Sequence, residues 1–171
     1  MSKYIDSFDG DLFFGHIGEQ IIANRIKNTY PHTYVVQGNV KTHDLCVETH
    51  YGVVTIEVKN DRTKHKNIFI ETYNTNNGLK KPSGINATKS DWWAYIINNE
   101  INWFQTHKIK ECIKNEKENI RHIEGLPKET GLVDACVITP EIFIKYIAKR
   151  VSLNEIEIKL LERGKNKCQL N

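Results

Sequence analysis

From residue 9 to residue 28 the apolar positions Phe14, Ile17 and Ile21, widened by Ile22 and Ile26, recur at helical spacing and predict a first helix. Asp9 or Asp11 would cap its start. Tyr30-Pro31 ends it, because the residue before a proline is pushed out of helical geometry. The pattern then switches to alternation. Strands are predicted over 33–37, 44–49, 53–59 and 67–72, divided by Gly38-Asn39, by His50-Tyr51-Gly52 and by a basic stretch at 60–66. The turn-rich residues 74–84 read as a loop. Trp92–Ile97 and Ile101–Thr106 fit either one helix or two strands; their aromatics and the intervening Asn98-Asn99 favour a hairpin. A helix near 108–118, a break at Gly125-Leu-Pro127, a buried strand at Leu132–Ile138 and helices at 140–149 and 153–163 complete the chain, with Arg163-Gly-Lys-Asn-Lys as a frayed tail. Helix, mostly antiparallel strands, then helices make an α+β fold, a mixed α/β sheet flanked by helices.

Composition changes this picture little. A chain of 171 residues, 39% hydrophobic and 26% charged, suits one domain over 1–171 with an ordinary soluble character. No apolar run has the length of a membrane span, and Met1-Ser-Lys-Tyr-Ile-Asp lacks the features of a signal peptide, so no membrane partner and a cytoplasmic location are expected. Cys46, Cys112, Cys136 and Cys168 are scattered without metal-ligand or disulfide spacing and read as reduced thiols. The net charge of +3 is too small to specify a nucleic-acid partner. Its distribution says more: Arg62, Lys64, Lys66, Lys80 and Lys81 cluster in the loops that follow the predicted third and fourth strands. Abundant Asn, Ile and Lys hint at an AT-rich, virus-type (phage) coding source.

The chemistry concentrates where Asp44 precedes Val53-Val54-Thr55-Ile56-Glu57-Val58-Lys59. Alternation puts Val54, Ile56 and Val58 on one face of the strand and Thr55, Glu57 and Lys59 on the other. Asp44 joins them from the preceding strand across a hairpin. Two carboxylates and an ammonium so placed can hold a hard divalent cation through oxygens and leave a lysine beside the water it activates. A second triplet, Glu157-Ile158-Lys159, has no aspartate at comparable spacing and sits among Leu153, Ile156 and Leu160, a helical pattern. It is a decoy.

At this point the residues resemble the PD-(D/E)xK nuclease superfamily, the restriction-endonuclease-like fold. The match rests on Asp44…Glu57-Val58-Lys59, on Gly15-His-Ile-Gly18-Glu19 in the upstream helix, on Asn67-Ile-Phe-Ile-Glu71, and on Ser83-Gly84-Ile85…Thr88…Ser90-Asp91-Trp92, which is similar to a pattern of small phage and bacterial members. Ser90 stands where alanine is usual, and His43 where the first motif has proline. The resemblance covers a core of about 10–107, leaving 108–163 as compatible helices and a strand. It implies a DNA nuclease using Mg²⁺, with Mn²⁺ able to substitute. Asp44, Glu57, the Val58 carbonyl and Glu19 would hold the ion, and Lys59 would position the attacking water and balance charge on the phosphate. Junction-type and linear-DNA cutting stay open, and symmetric duplex cutting would suit a homodimer.

Around these residues Glu71, Gln37, Ser83, Thr88, Lys89, Arg62 and Lys64 are candidates for contacts with DNA, each with a structural alternative. Asp91 reads as an N-cap or strand-edge residue. Trp92, Trp93, Trp103 and Phe104 would stack bases or fill the core. A non-catalytic DNA-binding module would have a broken triad, and a purely structural domain would make the triad a solvated salt bridge. The intact Asp44, Glu57 and Lys59 favour the enzyme.

Overall fold

The computed structural model describes residues 8–40, 43–61, 66–128 and 131–169. Helix α1 (Phe8–Thr29) opens the chain, and it starts early enough that Asp9 and Asp11 lie within its first turn rather than ahead of it. Strands β1 (Tyr34–Val40), β2 (His43–Thr49) and β3 (Gly52–Asn60) follow as an antiparallel meander. Strands β4 (Ile68–Asn76) and β5 (Leu79–Pro82) come next, then a short 3-10 turn (Gly84–Asn86), β6 (Trp92–Ile97) and β7 (Glu100–Gln105). The remainder is α2 (Thr106–Asn115), β8 (Arg121–Lys128), β9 (Gly131–Ile138), α3 (Pro140–Phe143), β10 (Lys149–Ser152) and α4 (Glu155–Gln169). A six-stranded sheet, ordered β1-β2-β3-β6-β7-β10, and a four-stranded sheet, ordered β5-β4-β9-β8, give a mixed α+β fold with helices on its flanks. Within the larger sheet β3 and β6 run parallel. Among the described residues no helix is long and apolar enough to cross a membrane.

Two apolar cores meet at β6. Its residues alternate between them, Ala94 and Ile96 facing one, Trp93, Tyr95 and Ile97 the other. The first core packs Phe14, Ile17, Ile21 and Ile22 of α1 with Leu161 of α4 against Leu45, Val47, Ile56 and Val58. The second places Ile68 and Ile70 of β4, Cys136 and Ile138 of β9, and Ile109 and Cys112 of α2 behind β6 and β7. Each large side chain so buried contributes about 1.5–3 kcal/mol. Trp93 and Phe104 are therefore core, while Trp92 and Trp103 pack against the first core and stay partly exposed.

Several sequence expectations need correction. The predicted loop at 74–84 is largely a hairpin: Asn77 (φ 51°) and Gly78 (φ 75°) form the two-residue turn that matches strand twist. Asn98 (φ 52°) and Asn99 (φ 60°) make the same kind of turn between β6 and β7, as expected there. Gly125-Leu-Pro127 breaks nothing. Gly125 (φ 65°) lies where the β8–β9 register shifts between Ile123 and Leu126, its N–H bonded to Asp134 Oδ1 at 2.9 Å. Pro127 is accepted because β8 is an edge strand. The predicted helix at 140–149 is one short turn, and the chain then adds β10 to the free edge of β7, Val151 opposite Ile101. The expected frayed tail continues α4 as far as Gln169.

The decoy triplet is structural, as read. Asn154 and Glu157 form a reciprocal capping box at the start of α4, with Asn154 N–H to Glu157 Oε2 at 2.7 Å and Glu157 N–H to Asn154 Oδ1 at 3.0 Å. Glu157 also pairs with Arg25 of α1, which ties the two helices together.

Gly84 shows how tightly the smaller sheet is held against the rest. Its φ is +48°, and a Cβ there would lie 2.2 Å from the Glu71 carbonyl oxygen. Gly84→Ala is expected to cost about 2–4 kcal/mol, combining the left-handed backbone penalty with overlap against main chain. Urea unfolding measures it, and a loss under about 0.5 kcal/mol, the range of an ordinary surface substitution, would refute this close approach.

Candidate active site

β2 and β3 pair from Thr49–Gly52 to Leu45–Ile56, where the ladder stops. One residue beyond, the Asp44 side chain takes the place of a strand: its Oδ2 accepts the Val58 N–H at 2.7 Å. Backbone groups of successive strand residues point to opposite sides. On β3, Thr55 and Asp61 exchange bonds with the β6 side, so the Val58 carbonyl turns, like its N–H, toward Asp44. Asp44 and Val58 thus present oxygens at the same opening in the sheet.

Glu57 and Lys59 stand side by side on the opposite face of β3 from the first core, Lys59 Nζ donating to Glu57 Oε1 at 2.6 Å. Beneath them is Trp93, the β6 partner of Glu57, whose ring centroid lies 5.7 Å from Lys59 Nζ. The Lys59 side chain keeps 41% of its surface exposed, against 13% for Glu57, so the amine can still meet a ligand arriving from solvent.

Glu19 comes from α1, which is pinned to the strand one residue past Lys59. Asn60 Nδ2 donates to the Phe14 carbonyl at 2.9 Å, and a Cβ on Gly18 would lie 2.9 Å from Asn60 Cβ. Glycine at 18 permits that contact, and the neighbouring Glu19 is carried toward Asp44; His16 Nδ1 lies 3.3 Å from its Oε2.

The electrostatics follow from this crowding. Burial, then the Glu57 and Glu19 carboxylates, push Asp44 from its ordinary value of 3.8 up to about 6, against the pull of Lys59 and the Val58 N–H. For Lys59, burial pulls downward, but Glu57, Asp44 and Glu71 outweigh it and hold the amine above the usual lysine range. The lysine is therefore an ammonium at neutral pH, and the aspartate carries its charge at a cost.

The remaining candidates separate. Glu71 faces the same side of β4 as Phe69, as expected, and its carboxylate meets Lys128 Nζ at 3.1 Å while its field reaches Lys59. Ser83 and Thr88, candidate phosphate contacts, have their hydroxyls inside the protein. Ser83 Oγ is closed off from solvent, and Thr88 is buried with Oγ1 3.4 Å from Glu57 Oε2. Both hydroxyls turn into the protein because the 3-10 turn is clamped by Gly84 against β4 and by the Ser83 N–H bond to the Thr72 carbonyl. Lys89, next along, is exposed and stays available to substrate. Asp91 is a strand-edge residue: its Oδ2 accepts from the Thr55 N–H at 2.8 Å and Oγ1 at 2.9 Å, extending the β3–β6 contact. Gln37 pairs through its backbone with Leu45, but its side chain lies outside the described residues, as do Arg62 and Lys64 entirely.

Asn60, Lys128 and Thr106 escaped the sequence reading, and Ser90 entered it only as a departure from the motif. Asn60 had a signal, since it directly follows Lys59 in the strand. Lys128 had none, because it reaches Glu71 from a strand the sequence broke at Pro127. Asn60 Oδ1, Ser83 Oγ and Trp93 Nε1 are the buried side-chain polar atoms without a hydrogen-bond partner among the described residues. Asn60 directly follows Lys59, and Trp93 is the β6 partner of Glu57.

Among the described residues no three His, Cys, Asp or Glu side chains are drawn together tightly enough to hold a metal ion on their own. The donors here are two carboxylates and a backbone carbonyl, with Glu19 alongside. All are oxygens, which fit a hard ion that keeps part of its water shell. The raised Asp44 is a second sign of fit, since a cation would relieve the carboxylate repulsion.

No protein-family model matches the chain. No curated protein matches it at a significant level. Among solved structures, the bacterial homing endonuclease I-Ssp6803I is similar over 91% of this chain and 96% of its own, at 14% identity and a TM-score of 0.48. That likeness is too distant to carry residue roles from one protein to the other.

Proposed function

We propose that this chain is a divalent-metal-dependent deoxyribonuclease of the PD-(D/E)xK type, with the restriction-endonuclease-like core that its motifs resemble. The observation that carries the reading is the meeting of Asp44, Glu57 and Lys59 at the opening between β2 and β3, with Asp44 raised to about 6 by burial first and then by the neighbouring carboxylates. A solvated surface salt bridge would show no such frustration. Asp44, Glu57 and the Val58 carbonyl, with Glu19 beside them, would hold Mg²⁺ or Mn²⁺. Bound there, the ion supplies neutralisation of the phosphate oxygens and acidification of the attacking water.

The chain's own residues divide the remaining work. Lys59, held charged, orients the water and stabilises negative charge developing on the phosphate; it is not the base. Glu57 keeps Lys59 in place through Oε1. The Val58 N–H fixes the Asp44 carboxylate, leaving its other oxygen for the ion. Glu71 and Lys128 lie on the far side of Lys59, where Lys128 can meet a neighbouring phosphate. DNA is the substrate class; a homodimer would supply the second site for a symmetric duplex cut.

The test is cleavage of end-labelled single-stranded, duplex, flapped and four-way DNA in Mg²⁺, Mn²⁺ or EDTA, by wild type and Glu57→Gln. Divalent-dependent cutting by wild type alone is expected, and the preferred substrate chooses between junction and linear cutting. Absence of cutting on every substrate, with DNA still bound, would replace the enzyme by a binding module.

A further inference from the structure

A line of buried hydroxyls leads from Glu57 into the protein. Thr88 Oγ1 is 3.4 Å from Glu57 Oε2, Ser90 Oγ is 2.9 Å from Thr88 Oγ1, and Thr106 Oγ1 is 3.4 Å from Ser90 Oγ. All three residues are buried, at 7%, 4% and 7% exposure. They come from separate places: Thr88 and Ser90 from the segment between the 3-10 turn and β6, Thr106 from the first position of α2.

Proton counting gives the line a direction. A hydroxyl has one hydrogen to donate, whereas an ionised carboxylate only accepts. The Thr88 hydrogen therefore goes to Glu57 Oε2. Thr88 Oγ1 in turn accepts the Ser90 N–H at 3.2 Å and the Ser90 hydroxyl, and Ser90 Oγ accepts from Thr106. Every donor in the row points at the carboxylate, and donors aligned this way polarise one another. The segment is itself immobilised, because the Asp91 carboxylate is bonded to Thr55, and the Asp91 carbonyl accepts the Thr106 N–H at 2.9 Å.

We propose that Thr88 is a positioning residue for Glu57, the end of a Thr106–Ser90–Thr88 relay that holds Oε2 while Lys59 holds Oε1. This rests on the nuclease reading of the site. With a donor on each oxygen, rotation of the carboxylate about its last torsion is opposed. Without the relay a buried carboxylate loses a donor and gains an alternative orientation, and both effects weaken its hold on a cation.

Three variants test the relay: Thr88→Val, nearly the same shape without the donor; Thr88→Ser, which keeps it; and Ser90→Ala, one step further back. Mn²⁺ affinity is measured by calorimetry without DNA, cleavage by kcat and KM, and folding by melting in EDTA. Thr88→Val is expected to bind Mn²⁺ about 10–100-fold more weakly, as loss of a group supporting a metal ligand does. Its kcat should fall with KM for DNA unchanged. Thr88→Ser should recover most of both, and Ser90→Ala should show a smaller loss in the same direction. Wild-type Mn²⁺ affinity in Thr88→Val overturns the relay, as does a raised KM with kcat intact, which would make Thr88 a DNA contact. Should Thr88→Val fail to fold, the Thr88→Ser and Ser90→Ala values decide alone: equal to wild type in Ser90→Ala, or unrescued in Thr88→Ser, the relay is wrong. A wild type that neither binds Mn²⁺ nor cuts DNA removes the nuclease reading itself, which is a distinct result.

Discussion

Asp44→Asn is expected to abolish divalent-dependent cleavage and, in the same molecule, to make the metal-free protein more stable. The amide can still accept the Val58 N–H through its oxygen, so the local geometry survives. What disappears is a negative charge that is disfavoured by burial first and then by Glu57 and Glu19. Asp44 rises on folding from 3.8 to about 6, so between those values the folded state binds more protons than the unfolded one. Stability therefore falls as pH increases through that window and stays reduced above it. Two units correspond to a cost of up to about 3 kcal/mol at neutral pH. For a chain of this size that is a rise in Tm of up to roughly 6–12 °C for the variant in EDTA at pH 7.5. The gain should shrink as pH falls below about 6, where wild-type Asp44 takes up its proton, and be lost towards pH 3.8. Saturating Mg²⁺ should raise the Tm of wild type and leave the variant unmoved. Melting curves at pH 4.5 and 7.5, with and without metal, measure all of this. A variant that melts at or below wild type in EDTA at pH 7.5 would show that burial and the neighbouring carboxylates do not penalise the Asp44 charge as described.

Lys59→Ala should be the most damaging single change to the rate. It removes the cation from the water and phosphate, and a lost preorganised donor of this kind costs about 10²–10³-fold in kcat. Glu57 then loses its ion-pair partner at 2.6 Å, and Asp44, Glu57 and Glu71 lose the charge they share. The apo protein should consequently be less stable, the opposite sign to Asp44→Asn. DNA affinity in Ca²⁺ should change little, because Lys59 is one cation among several near the site. Lys59→Arg should recover only part of the rate: a planar guanidinium cannot keep a compact charge both above Trp93 and against Glu57. Single-turnover cleavage and equilibrium binding separate the two effects. Loss of binding that matches the loss of rate would demote Lys59 to a simple phosphate contact.

The site was legible because it obeys the shortest-range rule in the chain. Alternation from Val53 to Lys59 and the turn at His50-Tyr51-Gly52 are local, and they place Asp44, Glu57 and Lys59 without knowledge of the rest of the fold. Glu19 came from the resemblance, on a helix whose apolar spacing was plain in the sequence. The errors share another cause. Gly125 and Pro127 behave as strand residues only because β8 lies at an edge and bulges, and β10 exists because β7 offered an open edge. Neither condition is written in the local sequence. Thr88 read as a candidate DNA contact for the same reason: its burial comes from packing against elements distant in the chain.

The strand shared by both cores has a consequence for how the protein comes apart. β6 is flanked by β3 and β7 and covered on both faces, so its amides should exchange with solvent last, at the free energy of global opening. Glu57 and Lys59 ride on β3, paired directly to it. Edge strands β1 and β10 can fray without disturbing that pair. On warming, the capacity to act should persist until the whole molecule melts, so inactivation and unfolding would form one transition.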